Sequence, residues 1–218
     1  SNGGIFLDDL YKIDTTNNNS KKITLSGFGD ENNIPSARNH HTMVVIGDDM
    51  YIFGGNGEGV YNKDLYKIDI TTNTSVKIDV TGDMQSIIKH SSMVAINNYM
   101  YIFGGIDTEL DYSSNLYKID TTGYSEKITL PEDQVSKRYY HTMVILNNSF
   151  FIYGGFYLTQ RLDDLIKIPF TFNTHYLNGK IADLRLYNYL LTDISTINDE
   201  FTDFTITFNS QNIGYRDM

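Results

Sequence analysis

The sequence predicts an all-β fold made of repeated antiparallel sheets, and two observations carry this prediction. The phrase MYIFGG occupies residues 50–55 and returns unchanged at residues 100–105, while FFIYGG stands at residues 150–155. A period of this size indicates a repeated supersecondary unit that buries its apolar face by stacking on neighbouring units. Aromatic residues make up 13% of the chain, with 17 Tyr and 12 Phe, and this composition favours strands over helices.

Each unit divides into four short strands whose hydrophobicity falls from the first to the fourth. In the first full unit, TMVVI is a continuous apolar run, which predicts a strand buried on both faces. GDD is a hairpin turn, and MYIF is a second buried strand that ends at Gly-Gly. A polar loop follows, then DLYKID with period-two alternation, a turn, and the polar strand VKIDV. A radial sheet with buried inner strands and a solvent-facing outer strand has this gradient.

The repeat also predicts the domain boundaries. We assign residues 1–173 to the repeat region and residues 174–218 to a separate C-terminal element. A partial unit opens the repeat region, and three further units follow, so that the units cover residues 3–25, 41–80, 90–130 and 141–170. The last unit loses its outer strand. Pro169 at its end cannot donate a ladder hydrogen bond, which predicts a short or edge strand.

The apolar strand, the turn, the strand ending in Gly-Gly, the variable loop and the D-L-Y-x-I-D strand together resemble kelch repeats, which form β-propeller blades. The resemblance covers residues 3–170 and implies four-stranded antiparallel blades arranged around an axis. We expect each diglycine to lie where the backbone passes close to a neighbouring blade and no Cβ fits. Three diglycines stand in register: Gly54 and Gly55, Gly104 and Gly105, and Gly154 and Gly155.

The number of units predicts an incomplete ring. Propellers close with about 4 to 8 blades, whereas this chain offers two complete units, one without its outer strand, and one opening piece with only its outer two strands. Three explanations stay open: the chain is a fragment of a longer polypeptide, other copies complete the ring, or the tail supplies the missing strands. We expect a fragment, because the repeat begins in mid-unit at Gly-Gly.

The C-terminal element carries a different pattern. Residues 175–201 contain an alternating strand and a second polar-apolar segment, and this stretch resembles the closing part of laminin-G-like or concanavalin-A-like jelly rolls. The matching residues are Gly179, Ile181, Asp183, Arg185, Tyr187, Asn188 and Leu191. The resemblance implies a jelly-roll-like β tail, and it favours a cell-surface, extracellular or virion-exposed location over a cytoplasmic one. The Asp and Arg of this pattern look structural in such jelly rolls, so we carry over no binding role.

The charge balance excludes several classes of partner. The formal net charge is −10, and the lysines are scattered among acidic residues, which argues against nucleic acid and anionic lipid surfaces. No apolar run approaches the roughly 20 residues of a membrane span, so we predict no membrane insertion. Cysteine is absent, which excludes disulfides and thiolate metal sites.

No motif in the sequence indicates catalysis, so we predict no catalytic residues, no metal and no cofactor. There is no G-x-S-x-G elbow, no phosphate-binding glycine loop and no twelve-residue calcium loop. His41, His90 and His141 head the first strands of three units, where a ring of imidazoles could hold a metal or an anion. Because they recur in every unit, we expect each histidine instead to cap its strand by bonding to the next blade's backbone.

The loops after each Gly-Gly vary most between units, and repeat scaffolds place recognition in such loops. Aromatic side chains beside acidic ones suit a protein or a sugar. The candidate binding residues are Tyr61, Glu109, Tyr112, Phe156, Tyr157 and Arg161.

Three functions stay open for this chain. We expect a non-catalytic interaction or structural module whose partner is a protein, or further copies or parts of the same assembly. The alternative is carbohydrate binding, since jelly rolls of this type often hold glycans. A less favoured third interpretation is a sugar-modifying enzyme of the kelch type.

Overall fold

The computed structural model describes residues 5–57, 60–61, 63–84, 89–107, 111–130 and 135–170, together with two short strands near residue 180. The chain divides into two compact units, Ser1–Thr171 and Phe172–Met218. The repeats lie in the first unit. The jelly-roll prediction falls on the second unit, where only the backbone of the two short strands is described, so that prediction lies outside the described residues.

The strands are numbered in chain order. An opening hairpin is formed by β1 (Leu10–Asp14) and β2 (Asn19–Ile23), and β3 (Ser26–Gly27) and a 3-10 turn (Glu31–Asn33) follow it. Blade 1 and its loop contain β4 (Thr42–Ile46), β5 (Asp49–Phe53), β6 (Asn56–Gly57), β7 (Val60–Tyr61), β8 (Leu65–Asp69) and β9 (Thr74–Ile78). After β10 (Thr81–Gly82), blade 2 contains β11 (Ser92–Ile96), β12 (Tyr99–Phe103), β13 (Leu116–Asp120) and β14 (Tyr124–Ile128). Blade 3 and its loop contain β15 (Thr142–Leu146), β16 (Ser149–Tyr153), β17 (Phe156–Tyr157), β18 (Gln160–Arg161) and β19 (Leu165–Pro169). In the second unit, β20 (Tyr176–Leu177) pairs antiparallel with β21 (Lys180–Ile181).

The blades are antiparallel sheets whose strands follow one another from the inside outward. The order is β4-β5-β8-β9 in blade 1, β11-β12-β13-β14 in blade 2 and β15-β16-β19 in blade 3. The described part of the chain contains no α-helix, and its sheets do not close into a barrel. The predicted all-β fold is therefore confirmed, and blade 3 ends at its third described strand.

Blades 1 and 2 are five-stranded, which the four-strand prediction missed. The short strand β3 runs parallel to β9, and β10 runs parallel to β14, so the segment leading into a blade adds a strand to that blade's outer edge. Two buried serines hold these added segments. The Ser75 hydroxyl donates to the Asn33 carbonyl at 2.6 Å, and the Ser125 hydroxyl accepts from the Met84 N–H at 2.9 Å. A parallel strand of two residues carries no periodicity that the sequence could have revealed.

The core lies between the blades. Alternate residues of each strand point to opposite faces, so Met100 and Ile102 pack toward blade 1 while Tyr101 and Phe103 pack toward blade 3. The cluster between blades 1 and 2 contains Ile46, Tyr51, Phe53, Leu65, Met93, Met100, Ile102, Tyr117 and Ile119. The cluster between blades 2 and 3 contains Tyr101, Phe103, Leu116, Met143, Phe150, Ile152 and Ile168.

The first strands are not buried on both faces, and that prediction was wrong. In blade 1, Met43 and Val45 are 49% and 55% exposed, and Val144 of blade 3 is 57% exposed. Met93 and Met143, the equivalents of Met43 in blades 2 and 3, are buried because the preceding blade covers that face. Burial of an inner strand thus depends on having both neighbours, which the apolar run in the sequence does not reveal.

The predicted close approach of a neighbouring blade is confirmed at Gly104, whereas Gly55 and Gly155 lie against the segments that lead into their own blades. Gly54, Gly104 and Gly154 have φ values of 67°, 67° and 65°, in the left-handed region. A Cβ on Gly104 would lie 2.6 Å from the His141 ring and 2.7 Å from the Arg138 carbonyl oxygen, both in blade 3. A Cβ on Gly154 would meet only the Leu162 carbonyl oxygen, at 3.3 Å.

We expect Gly104→Ala to destabilise the protein more than Gly154→Ala does. Both variants force alanine into a left-handed conformation, which costs about 1–2 kcal/mol. Only Gly104→Ala also pushes a methyl group into the next blade, which adds about 1–3 kcal/mol. Urea unfolding followed by circular dichroism measures both free energies. Equal losses in the two variants would contradict the proposed packing of blade 2 on blade 3.

Candidate functional site

One face of the blades is built by the loops that follow the diglycines and the segments that precede the first strands. In each blade these two pieces pair through a single antiparallel bridge, which joins Asn56 to Asn39, Ile106 to Lys89, and Phe156 to Tyr139. The bridging N–H···O distances are 2.8 to 3.1 Å. The backbone of this loop face is therefore held to its own sheet, while the side chains differ from blade to blade.

Three residues at the start of the blades form a ladder across the loop face. His40, His90 and Tyr140 all have left-handed backbone, with φ of 57°, 59° and 57°. The His90 N–H donates to the His40 carbonyl at 3.3 Å, and the Tyr140 N–H donates to the His90 carbonyl at 3.0 Å. The ring of His90 lies 3.8 Å from that of His40 and 4.1 Å from that of Tyr140, measured between centroids.

This ladder corrects the histidine alignment. His90 is the equivalent of His40 and Tyr140, whereas Ser91 stands where His41 and His141 stand in the other blades. The three histidines at 41, 90 and 141 therefore do not form one ring. Matching the three histidines by residue type shifted the second unit by one position, and the strand pairing gives the correct alignment of the units.

His141 joins two blades through its side chain, which interacts with the Phe103 backbone and with a serine of blade 2. Its Nε2 lies 2.7 Å from the Ser92 hydroxyl of blade 2, and its ring packs edge-on against Phe103. The residue is 6% exposed. Burial, together with the nearby Arg138 charge, lowers the pKa of His141 to about 4.

Five aromatic side chains from blades 2 and 3 gather on the loop face beside the ladder. We call this group the tyrosine cluster: Tyr112, Tyr139, Tyr140, Phe156 and Tyr157. Tyr112 stacks on Tyr139 with centroids 5.2 Å apart and meets Tyr157 edge-on at 5.8 Å. Tyr139 in turn lies 5.2 Å from Tyr140 and 5.8 Å from Phe156. Such geometries are favourable aromatic contacts and make a continuous surface.

The structure brings together three of the six candidate binding residues, Tyr112, Phe156 and Tyr157, and places a fourth beside them. The guanidinium carbon of Arg161 lies 6.0 Å from the centre of the Phe156 ring. Tyr61 is in a described strand, but its side chain lies outside the described residues, as does Glu109.

Sequence reasoning missed Tyr139 and Tyr140, which connect the loop residues to the ladder. The two adjacent tyrosines directly before His141 were the available signal.

A polar pocket of about 260 Å³ adjoins the tyrosine cluster at Tyr112. Lys137 donates to the Asp111 carboxylate at 2.8 Å, and this bond lowers the pKa of Asp111. Both side chains are well exposed. The pocket lining comprises Asp107, Asp111, Tyr112, Ser113, Ser114, Asn115, Tyr117 and Lys137.

Two arginines that the sequence left without a role are structural. Arg138 is fully buried, donates to the Gly154 carbonyl at 3.0 Å, and makes two 2.8 Å hydrogen bonds to the Asp164 carboxylate. This pairing lowers the pKa of Asp164. Arg38 donates to the Gly54 carbonyl at 3.0 Å in the same way. Each arginine thus fixes a diglycine to the segment that precedes its blade.

Among the described side chains, no group of three or more His, Asp or Glu is placed to bind a metal ion. The described segments also contain no helix of the length and hydropathy that span a bilayer.

The stacked antiparallel blades define a β-propeller architecture, and the comparison with protein families agrees. A family model described as Attractin/LZTR1 beta-propeller matches residues 3–177. Because the match covers most of the chain, the protein belongs to this family. A search among curated proteins gives no match. Propellers of this class are in general protein-interaction modules.

We expect the stability of the protein to fall as the pH is lowered from about 6.5 to about 4, with part of this fall due to His141. In the unfolded chain a histidine binds its proton near the ordinary pKa of 6.5, whereas folded His141 stays neutral down to about 4. The unfolded state therefore binds more protons in this window, which favours unfolding.

Urea unfolding at several pH values tests this expectation. His141→Gln, which cannot titrate, should be less stable at pH 7 and should show a shallower pH slope. His40→Gln is the comparison: burial lowers the pKa of His40 as well, but this residue is more exposed than His141, so the slope should change less. An unchanged slope in His141→Gln would show that this histidine is not held neutral.

Proposed function

We propose that this chain is a non-catalytic interaction module that binds a protein partner through the tyrosine cluster on its loop face. The observation that carries the proposal is the contact of five aromatic rings from two blades, on loops whose backbone is tied to the sheets. A rigid scaffold with variable loops is the usual way in which repeat proteins present a binding surface.

The exposure and chemistry of the cluster suit a protein surface. Tyr140 is 51% exposed, and Leu158, at the tip of the β17–β18 hairpin, is 55% exposed. Tyrosine offers a large contact area with few rotatable bonds, and tyrosines are frequent among the residues that dominate interface energies. Arg161 on the rim adds a second side chain of the kind enriched at interfaces.

Binding rather than catalysis is supported by how the polar groups are used. His141 and Ser92 are close enough for proton transfer, but His141 is only 6% exposed and is packed between two blades. Arg138 and Asp164 hold a diglycine. Several aspartates, including Asp69 and Asp120, accept backbone N–H bonds in their own turns.

Carbohydrate binding is a second candidate function, and the pocket beside Tyr112 favours it. Carboxylate, amide and hydroxyl groups line a cavity of about 260 Å³ next to an aromatic ring. This combination can hydrogen-bond to sugar hydroxyls while the ring covers an apolar sugar face. The jelly-roll resemblance of residues 175–201 supports the same candidate.

The same resemblance extends the proposal to a location. We propose that the module acts on a cell, extracellular or virion surface, where its partner is another protein or a further part of the same assembly. The support is the sequence of residues 175–201 alone. Detection of the native protein on intact cells or particles by an antibody, without permeabilisation, tests it. Signal only after permeabilisation would contradict a surface location.

Ligands can be sought in parallel from a displayed peptide library and on a glycan array. We expect the peptide library to yield peptides whose binding needs the tyrosine cluster. Tyr140→Ala should weaken the selected peptides about tenfold or more, because central aromatic residues dominate interface energies. Tyr124→Ala is the matched control, since Tyr124 is equally exposed, at 52%, but lies on the outer strand of blade 2.

The outcomes separate the candidates. Peptide binding that is lost in Tyr140→Ala and kept in Tyr124→Ala supports the protein-partner proposal. Glycan binding without peptide binding supports the carbohydrate candidate. Ligands that bind Tyr140→Ala and Tyr157→Ala as well as the native chain would exclude the tyrosine cluster as the binding surface.

A further inference from the structure

We propose that the tyrosine cluster binds a proline-rich segment of the protein partner in the polyproline II conformation. This inference rests on the proposed function and names the class of peptide that the same surface selects. It is drawn from a row of rings on the loop face, in which each ring contacts the next. We call it the aromatic row, and its members in order are Tyr112, Tyr139, Tyr140, His90 and His40.

The histidines of the aromatic row are uncharged at neutral pH. Burial lowers the pKa of His90 to about 4, and burial also lowers the pKa of His40. Both imidazoles are therefore neutral at pH 7, and the other members of the row are phenols. A row of uncharged rings selects a ligand by apolar contact and shape, with hydrogen bonds at the ring edges.

The backbone beside the aromatic row is already paired, which argues against a ligand that adds as a β-strand. Tyr139 and Phe156 exchange two backbone hydrogen bonds, at 3.0 and 2.8 Å, and the Tyr140 N–H donates to the His90 carbonyl at 3.0 Å. Strand addition needs a free edge. The cavity that adjoins the row at Tyr112 is lined mostly by polar side chains, so it does not offer the apolar groove of a docked helix. Of these three modes of peptide recognition, polyproline II docking on aromatic rings fits the surface.

The spacing of the rings matches the repeat of a polyproline II helix. Tyr112, Tyr139 and Tyr140 follow one another in two steps of 5.2 Å, so the two outer ring centres lie at most about 10 Å apart. One turn of a polyproline II helix contains three residues and advances about 9 Å. Prolines three positions apart on one face of the ligand can therefore contact both outer rings.

The chemistry of a proline-rich segment also suits the exposed parts of these rings. Tyr140 is 51% exposed, while Tyr112 and Tyr139 are half-buried, so each offers part of its ring for contact. A polyproline II segment has no internal hydrogen bonds, so its carbonyl groups can accept hydrogen bonds from tyrosine hydroxyls. Because the backbone of such a segment is ordered before it binds, less conformational entropy is lost on binding.

The test uses the full chain and three fluorescent peptides of equal length, made of L-proline, of D-proline or of alternating glycine and serine. The D-proline peptide has the same composition as the L-proline peptide but forms the mirror-image helix, so it separates a fit of shape from unspecific adhesion. Fluorescence anisotropy measures each affinity. We expect the L-proline peptide to bind about fivefold or more tightly than the D-proline peptide, and the Gly-Ser peptide to bind weakest. Because no charges are paired, the affinity should change less than about twofold between low and high salt.

Four variants assign the binding to the aromatic row. Tyr112→Ala and Tyr140→Ala should each weaken the L-proline peptide about tenfold or more, because each removes one of the two outer rings. Tyr140→Phe keeps the ring and loses only the hydroxyl, so its loss should be smaller. Tyr124→Ala, at an equally exposed tyrosine on the outer strand of blade 2, should bind as the native chain does. Circular dichroism of each variant shows whether a loss of binding comes from loss of the fold.

Several results would overturn the proposal. Equal binding of the L-proline and D-proline peptides would remove the preference for polyproline II, and no binding of the L-proline peptide at millimolar concentration would remove the site. Equal losses in Tyr140→Ala and Tyr124→Ala would show that the peptide binds elsewhere. If peptides selected from the library need Tyr140 but bind equally well without their prolines, the proline inference falls while the proposed interaction function stands. If no selected ligand needs the tyrosine cluster, both fall.

Discussion

Each sheet of this protein covers its neighbour, and the row of blades depends on that contact. Tyr101 and Phe103 of blade 2 lie with Phe150 of blade 3 in one buried cluster, while the alternate residues of the same strand, Met100 and Ile102, complete the cluster with blade 1. A single strand therefore belongs to two cores. Because side chains alternate along a strand, a register shift of one residue would exchange the two faces and uncover both clusters.

The same contact explains how the loop face is positioned. His141 and Gly104 meet where blades 2 and 3 pack together, and the ladder of His40, His90 and Tyr140 joins all three blades at the loop face. The rings of the tyrosine cluster come from both of these blades, so their spacing is set by how the sheets stack. The proposed binding surface thus depends on the core beneath it, and the loops supply the identity of its side chains.

The sequence predicted the features that recur in each unit, and it missed the hydrogen bonds between residues that lie far apart in the chain. Three diglycines in register were enough to predict the strand order of a blade and the close approach at Gly104. Residues that act across long separations had no such signal: Arg38 and Gly54 are 16 residues apart, and Ser75 and Asn33 are 42 apart. The candidate loops were chosen for their variability, which found Tyr112, Phe156 and Tyr157 but not Tyr139 and Tyr140. Those two residues lie before a first strand, outside the loops that vary most.

Hydrogen exchange of backbone amides in the full chain, followed by mass spectrometry, tests the stacking of the blades most directly. Amides of Tyr99–Phe103 and Leu116–Asp120, in the sheet covered on both faces, should exchange slowest. Amides of Leu10–Asp14, in the exposed opening hairpin, should exchange fastest among the described strands. Exchange in blade 2 as fast as in the opening hairpin would contradict the account, because it would mean that neighbouring sheets do not protect one another.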